Sequence, residues 1–545
     1  MMLSNLDVRH HLVCLAILVV SLLPAAVHAQ QQEAQETPAE STRADGDSAE
    51  QLLEEAADIA VEVAEIRGLE LKRGINKGIR DRDELRKVLI ERLAEEVSDE
   101  DVEREGMVFK KLGLMPDDLD YKQTLLDVLT EQIAGFYDQH AEELYIMQGI
   151  PLDLQRPAMA HEIFHAIQDQ HFDIQRMVEP LSSKEHGDFA LARSALIEGD
   201  ASVLMIDFSL YEEGILPREG VESVVDIPLM ANVLKQLTRE DVGALQQMVP
   251  EGSSQGAAPI DPSQLADSAL AGAPRVIRKL LVFPYFGGMR FVISARADHG
   301  WDRVNAVYEN PPVSTEQILH PERYFAGDQP VRLDFDAQPV LDAEQTYDSV
   351  FGEYQMRLLL EEHLLDEDGD QAESQRAYID RAMLGWDGDR LRAFEYEDER
   401  VLLTHLSVWD TFKDAREYFE ALGEVMNARF PKATVSRQEG EHGRSLCIVI
   451  DDGPRSERIY LEQWGDLVLH VEGAPTQPDA DGAETDATAF MLREQIMRTV
   501  ERTPFEDVFA ERLEDYDARR KKAEGEQPDE QAEPEADQPA QDAPK

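Results

Sequence analysis

Apolar residues recur at helical spacing in the first part of the chain. Between residues 49 and 104, Leu, Ile and Val are interleaved with charged residues in a helical pattern, which predicts helices. Residues 125–133 follow the same pattern. Residues 30–48 are rich in Gln, Glu, Thr and Ala without this periodicity, which predicts a disordered linker.

Two short strands and two longer helices are predicted next. Residues 136–147 favour a β-hairpin, with a turn after Asp138 and an apolar strand at 143–147. Pro157 is expected to begin a helix, because proline is tolerated in the first turn. A second helix, capped by Asp188 and running to Tyr211, is so apolar that it belongs in a core.

The later part of the chain combines one amphipathic helix with several strands. A loop is predicted at 250–274, a buried segment at 280–295, and mixed loop and helix at 311–324. The helix covers 411–429, and this mixture predicts an α+β fold that ends in an α+β sandwich. Strands are predicted at 391–396, 401–408, 433–437, 445–450, 458–463 and 467–471. The predicted domains are 49–340 and 345–515, followed by an acidic disordered tail at 516–545.

The first 29 residues have the pattern of an export signal. A short polar region precedes an apolar run at 12–23, and Val27 and Ala29 are small residues before a cleavage point. We therefore expect a periplasmic or secreted protein, although an uncleaved anchor is the alternative. No later segment is long and apolar enough to span a membrane, so no stable membrane span is expected after the signal is removed.

The charge balance excludes one class of partner. The chain has 53 basic and 111 acidic residues, a formal net charge of −58. Phosphate groups would be repelled, which argues against a nucleic-acid partner. The charge does not identify a partner, and the oligomeric state is not predicted.

The strongest chemical signal is His161-Glu162-Ile163-Phe164-His165. Histidines four residues apart lie one turn apart on the same helical face, so both imidazoles can reach one metal ion. Glu162 points to the side of that face, where it can accept a proton from an activated water without binding the metal. Two ordinary histidines on a core or surface helix are the alternative.

A third ligand is needed, and Glu198 is the best candidate. It interrupts a strongly apolar helix, where an unpaired carboxylate would be costly and a metal ion would be a good partner. Gly199 beside it would let another helix approach closely. Arg193 or a backbone group could pair with Glu198 instead.

Other residues near the motif have chemistry that fits the same site. A carboxylate can fix the tautomer of a ligand histidine from its far nitrogen, a role open to Asp200 or Asp169. Rival third ligands are Glu185, His186 and His171.

At these residues the chain resembles the gluzincins, the thermolysin-like zinc peptidases, with HExxH on one helix and a ligand Glu on the next. The stretches 161–173 and 195–201 also resemble a group of exported bacterial HExxH proteins, and the resemblance covers about residues 120–330. There are two departures. The gap between His165 and Glu198 is longer than in thermolysin-like enzymes, and the acidic residue after Glu198 comes at the second position rather than the fourth.

The resemblance implies a zincin-like metallopeptidase domain that binds Zn²⁺ through His161, His165 and Glu198, with Glu162 as the general base. It also implies an edge strand at the predicted hairpin, along which a peptide or protein substrate would lie. An oxyanion donor is expected as well. The candidates for it are His320, Tyr324 and Tyr137.

The expected function is therefore that of an exported zinc-dependent peptidase. A catalytically inactive zincin-fold binding or scaffold protein of the cell envelope is the first alternative. A metallohydrolase for non-peptide bonds is the second, because the water chemistry of zinc does not choose between them.

Overall fold

The structure is a computed structural model of the 545-residue chain. It describes residues 41–523 except 97, 133–134, 149–151, 182–185, 219, 238–268, 298–299, 338–341, 368, 441–442, 451–456, 476, 479–483 and 486. The export signal predicted at 1–29 lies outside the described residues, as does most of the loop predicted at 250–274. Within the described ranges, no helix combines the length and the apolar character needed to cross a membrane.

Helices dominate the chain up to residue 330. The first six are α1 (Ser41–Arg67), α2 (Arg82–Glu96), α3 (Asp99–Lys111), α4 (Tyr121–Gln132), α5 (Leu152–Phe172) and α6 (Ile174–Val178). Of these, α1, α2 and α5 pack against a small sheet. The six are followed by α7 (Gly187–Glu212), a 3₁₀ turn (Val224–Asp226), α8 (Pro228–Leu237), α9 (Ala269–Gly272), α10 (Arg275–Arg296), α11 (Gly300–Glu309), α12 (Thr315–Leu319) and α13 (Pro321–Ala326).

The small sheet has the strand order β1-β3-β2. Strand β1 (Asn76–Arg80) runs parallel to β3 (Glu143–Met147), and β2 (Gly135–Asp138) pairs with β3 in antiparallel fashion. The predicted hairpin is therefore confirmed. As expected, β2 lies at an edge, but all four of its residues are buried.

Helix α7 lies at the centre of this part of the molecule. Every residue from Gly187 to Met205 is buried, because α5, α10 and α12 pack against it on different sides. The prediction that Asp188 caps this helix is wrong. His186 is the N-cap, and the buried Asp188 carboxylate instead accepts hydrogen bonds from the Thr315 backbone N–H and hydroxyl.

The second predicted helix start is also wrong. Helix α5 begins at Leu152, and Pro157 lies inside it rather than at its first position. A proline this close to the start removes few helical hydrogen bonds, so the helix tolerates it.

A seven-stranded antiparallel sheet is the central element of the chain beyond residue 340, and the chain as a whole is an α+β protein. The strand order is β5-β6-β7-β11-β10-β9-β8. The strands are β5 (Glu344–Ser349), β6 (Trp386–Glu395), β7 (Val401–Trp409), β8 (Thr434–Glu439), β9 (Gly443–Ile450), β10 (Glu457–Trp464) and β11 (Leu467–Pro475). All six strands predicted from alternation are found.

Helices pack on both faces of the large sheet. One face carries α14 (Gly352–Leu364), α15 (Ala372–Met383) and α16 (Phe412–Arg429), and the predicted helix at 411–429 is confirmed as α16. The opposite face carries α17 (Ala487–Thr499). The remaining elements are β4 (Val331–Asp334), β12 (Gln477–Pro478), β13 (Glu484–Thr485), β14 (Glu501–Pro504) and α18 (Phe505–Ala523).

The two predicted domains pack against each other. The largest hydrophobic cluster contains residues from Leu85 to Val468, and β4 pairs with β14 across the predicted boundary.

Helices extend into both segments that were predicted to be disordered. Helix α1 takes in residues 41–48 of the predicted linker. Helix α18 continues to Ala523, inside the predicted tail, because Tyr516 is buried and Arg520 pairs with Asp173.

Candidate metal centre

Helices α5 and α7 bring the three predicted ligands together. His161 Nε2 lies 3.1 Å from Glu198 Oε2, His165 Nε2 lies 3.3 Å from the same oxygen, and the two Nε2 atoms are 3.1 Å apart. Among the described residues, the ligand atoms of these three side chains lie close enough together to hold one metal ion. The helical spacing of the histidines was readable in the sequence, whereas their meeting with Glu198 depends on how α7 packs.

The triangle of ligand atoms has the size that a small tetrahedral ion requires. Ligand atoms about 2.0–2.1 Å from a tetrahedral zinc ion are about 3.3–3.4 Å apart, close to the 3.1–3.3 Å observed here. Two N–H···O hydrogen bonds to Glu198 Oε2 would use both Nε2 protons and leave the 3.1 Å contact between the two Nε2 atoms without a hydrogen. The arrangement therefore fits a metal ion.

The site lies in the interior of the protein. Exposed fractions are 1% for His161, 2% for Glu162, 4% for His165 and 1% for Glu198. Helix α10 closes one side, where the ring of Tyr285 stacks on that of His161 with 6.1 Å between centroids. Sequence reasoning placed 280–295 in the core but did not single out Tyr285, because nothing local marks which helix will face the motif.

Gly199 allows α7 and α10 to cross with their backbones in contact. A Cβ atom at Gly199 would collide with the backbone of Gly288, and one at Gly288 would collide with the carbonyl oxygen of Ala195. The expectation that Gly199 permits close approach is confirmed, and the neighbouring helix is α10. This crossing lies next to Glu198 and so sets how near α10 comes to the ligands.

The second nitrogen of His165 has a defined partner. Its Nδ1 lies 2.8 Å from Gln168 Oε1, while Gln168 Nε2 donates to the Ile197 carbonyl (3.0 Å) and to the Tyr308 hydroxyl (2.8 Å). Because a carbonyl can only accept, the amide orientation is fixed and Nδ1 carries the proton. In the neutral ring, His165 Nε2 is therefore left with its lone pair directed at the ligand triangle.

The carboxylates expected in that supporting role have other partners. Asp200 accepts two hydrogen bonds from Arg67 (3.1 and 2.9 Å) and one from Tyr308 (3.0 Å). Asp169 pairs with the hydroxyl of Tyr137 at 3.3 Å. A continuous buried network thus runs from Arg67 on α1 to His165, with Gln168 in the position predicted for Asp200 or Asp169.

Local charges favour the ligand-competent state of Glu198. Burial opposes its ionisation, but the charge of His165 and the hydrogen bonds from both histidines outweigh burial and lower the pKa of Glu198 below its ordinary range. Burial lowers the pKa of His161. For His165 burial is outweighed by Glu198, and its pKa rises to about 9, so a metal ion would have to displace a proton from this ring.

Glu162 lies beside the triangle and is held by the small sheet. Its Oε2 accepts a hydrogen bond of 3.0 Å from the backbone N–H of Tyr137 in the edge strand β2. The predicted base and the predicted edge strand are therefore adjacent.

The predicted oxyanion donors have partners outside the ligand group. His320 Nε2 lies 3.1 Å from Glu353, and the Tyr324 hydroxyl donates to the Asn310 carbonyl at 2.7 Å. These contacts, like that of Tyr137 with Asp169, give no support to an oxyanion role.

Two of the three rival third ligands are also positioned elsewhere. His171 Nε2 lies 2.7 Å from the Glu70 carbonyl oxygen, and His186 is the N-cap of α7. Neither belongs to the metal-binding group found among the described residues. Glu185 lies outside the described residues.

Comparison with known proteins matches part of the chain to a family. A family described as "Domain of unknown function (DUF8575)" matches residues 339–484, a segment that contains all seven strands of the large sheet and neither helix that carries the ligands. No curated protein and no solved structure matches the chain.

Proposed function

We propose that the protein is an exported zinc-dependent hydrolase of the zincin type, and that it cleaves peptide bonds. The observation that carries the proposal is the convergence of His161, His165 and Glu198 on one point with the dimensions of a tetrahedral site, with Glu162 beside it. The gluzincin resemblance of the sequence supports the same reading.

Each residue has a separate task in this proposal. His161, His165 and Glu198 would hold a zinc ion, which would supply a Lewis acid that lowers the pKa of a water to about 7. Glu162 would act as the general base and acid, taking a proton from the attacking water and giving it to the leaving amine. Tyr137 N–H orients the Glu162 carboxylate, and Gln168 holds His165 in the tautomer that presents Nε2. The hydroxyl of Tyr285, on the ring stacked against His161, is the candidate oxyanion donor.

The test uses the purified full-length protein. Metal analysis is expected to find one zinc per chain, and labelled casein is expected to be cleaved, with loss of cleavage on chelation. Glu162→Gln should retain zinc and lose cleavage, whereas Glu198→Ala should lose both. His171→Ala on the same helix is the matched control and should change neither, because His171 contacts a backbone carbonyl. Full cleavage by Glu162→Gln would exclude the mechanism.

The burial of the site favours a second candidate function. With exposed fractions of 4% or less at the ligands and Glu162, the ion would be structural and the protein a non-catalytic scaffold. Zinc that is bound stoichiometrically, while neither casein nor ester substrates are cleaved, would support this candidate. Cleavage of the esters alone would instead support a non-peptide hydrolase.

A further inference from the structure

A groove of about 520 Å³ lies on one face of the large sheet, beside α17. Side chains alternate along β10, so Ile459 and Leu461 are buried in the core while Tyr460, Glu462 and Trp464 share the other face. Strand β8, at the edge of the sheet, is exposed along its whole length. The lining of this groove includes Gln438, Ser445, Glu462, Trp464, Phe490 and Arg493.

Two aromatic rings in the groove are exposed to solvent. Trp464 is 44% exposed and Phe490 is 49% exposed, whereas the other three tryptophans of the chain are at most 9% exposed. The Arg493 guanidinium lies over the Trp464 ring at 4.9 Å and covers one face, which leaves the other face for a ligand. Exposed aromatic surface beside polar groups in a concave site is typical of a binding site.

The arginine over Trp464 is neutralised within the groove. Arg493 donates to both oxygens of Glu462 at 2.6 and 2.8 Å, and the Tyr460 hydroxyl donates to the same carboxylate at 3.1 Å. Arg444 pairs with Glu420, which lies outside the groove, at 2.9 Å, and Glu439 and Glu494 add acidic groups to the lining. Since both arginines are paired with carboxylates and the chain carries a net charge of −58, an anionic ligand is disfavoured. The groove therefore suits a ligand without negative charge.

The side chains of the groove suit one of two neutral polymers better. A peptide needs partners for its backbone N–H and C=O groups, which a sheet offers at its edge. Gln438 lies on the edge strand β8, whereas the side chains of Ser445, Glu462 and Trp464 stand on the inner strands β9 and β10, where the backbone groups are already paired. Sugar hydroxyls both donate and accept, so they can pair with the carboxylate, amide and hydroxyl side chains of Glu462, Gln438 and Ser445. The apolar face of a sugar ring can stack on the open face of Trp464.

We propose that this groove binds a neutral oligosaccharide, with Trp464 as the stacking platform and the Glu462–Arg493 pair as the hydrogen-bonding centre. The proposal is independent of the metal centre, whose ligands lie on α5 and α7. It assigns a binding role to the segment that matches the family of unknown function together with α17.

The test measures whether a bound ligand shields Trp464 from a fluorescence quencher in the full-length protein. Because the other tryptophans are buried, quenching of fluorescence by acrylamide reports mainly on Trp464. The probes are cellohexaose, chitohexaose, maltohexaose and xylohexaose, with an uncharged hexapeptide as comparison. At least one oligosaccharide is expected to protect Trp464 saturably, with the affinity then measured by calorimetry.

Variants locate the binding. Trp464→Ala and Glu462→Gln are each expected to weaken binding about tenfold or more, while Trp464→Phe keeps a ring and loses less. Phe412→Ala, at an aromatic residue 50% exposed outside the groove, should bind like the original protein. The proposal is overturned if none of the four sugars binds, if binding survives Trp464→Ala, or if the peptide alone protects Trp464.

Discussion

The buried ion pair between Arg67 and Asp200 leads to the sharpest prediction about stability. Both side chains are 0% exposed, and two hydrogen bonds of 3.1 and 2.9 Å join them. The Arg67 guanidinium also lies over the rings of Trp301 (4.1 Å) and Phe164 (5.6 Å). Arg67→Met would leave the Asp200 carboxylate buried with the Tyr308 hydroxyl as its remaining hydrogen-bond donor among the contacts described above.

The expected cost is large. Removing one partner of a buried ion pair typically costs about 3–5 kcal/mol, because the other charge stays desolvated. A single domain is stable by only about 5–15 kcal/mol. Arg67→Met should therefore shift the first transition in guanidinium unfolding, followed by circular dichroism, to markedly lower denaturant.

A matched pair on the surface provides the control. Arg502 also donates two hydrogen bonds to one carboxylate, that of Asp466, at 2.8 and 2.7 Å, but both side chains are 39% exposed. Arg502→Met should cost about 0–1 kcal/mol, because solvent screens an exposed pair. Equal shifts for the two variants would refute the argument that burial makes Arg67 important.

Three further predictions concern the site and its surroundings. Gln168→Leu removes the acceptor from His165 Nδ1 and should weaken zinc binding about 10–100-fold in competition with a chromogenic chelator; unchanged affinity would show that the amide does not position the ligand. Gly288→Ala places a Cβ against the Ala195 carbonyl and should cost about 3 kcal/mol or more in denaturant unfolding, since backbone atoms would have to move; a variant as stable as the original would contradict the close helix crossing. Burial raises the pKa of Asp207 from 3.8 to about 7, so the folded state holds this proton more tightly and the resulting stability, present below about pH 4, is lost as the pH rises through 7. Asp207→Asn should flatten that part of the pH–stability curve, and an unaltered slope would exclude this group as its source.

The sequence correctly predicted features that depend on spacing within one element. The four-residue interval of His161 and His165 places both rings on one helical face whatever the helix packs against. The alternation in the last third of the chain predicted six strands that all form, and all of them except the exposed edge strand β8 contribute buried side chains. The sequence predicted that Glu198 is a buried charge that needs a partner, but it did not decide which group that partner is.

Only the tertiary structure decided which elements meet. Gln168, rather than Asp169 or Asp200, supports His165, and Asp200 pairs with Arg67, 133 residues away in sequence. Tyr285 faces the ligands because α10 crosses α7 at a pair of glycines. Local periodicity determines positions within a helix or strand, whereas contacts between distant elements follow from how their apolar surfaces are buried together, and one sequence pattern does not encode that choice.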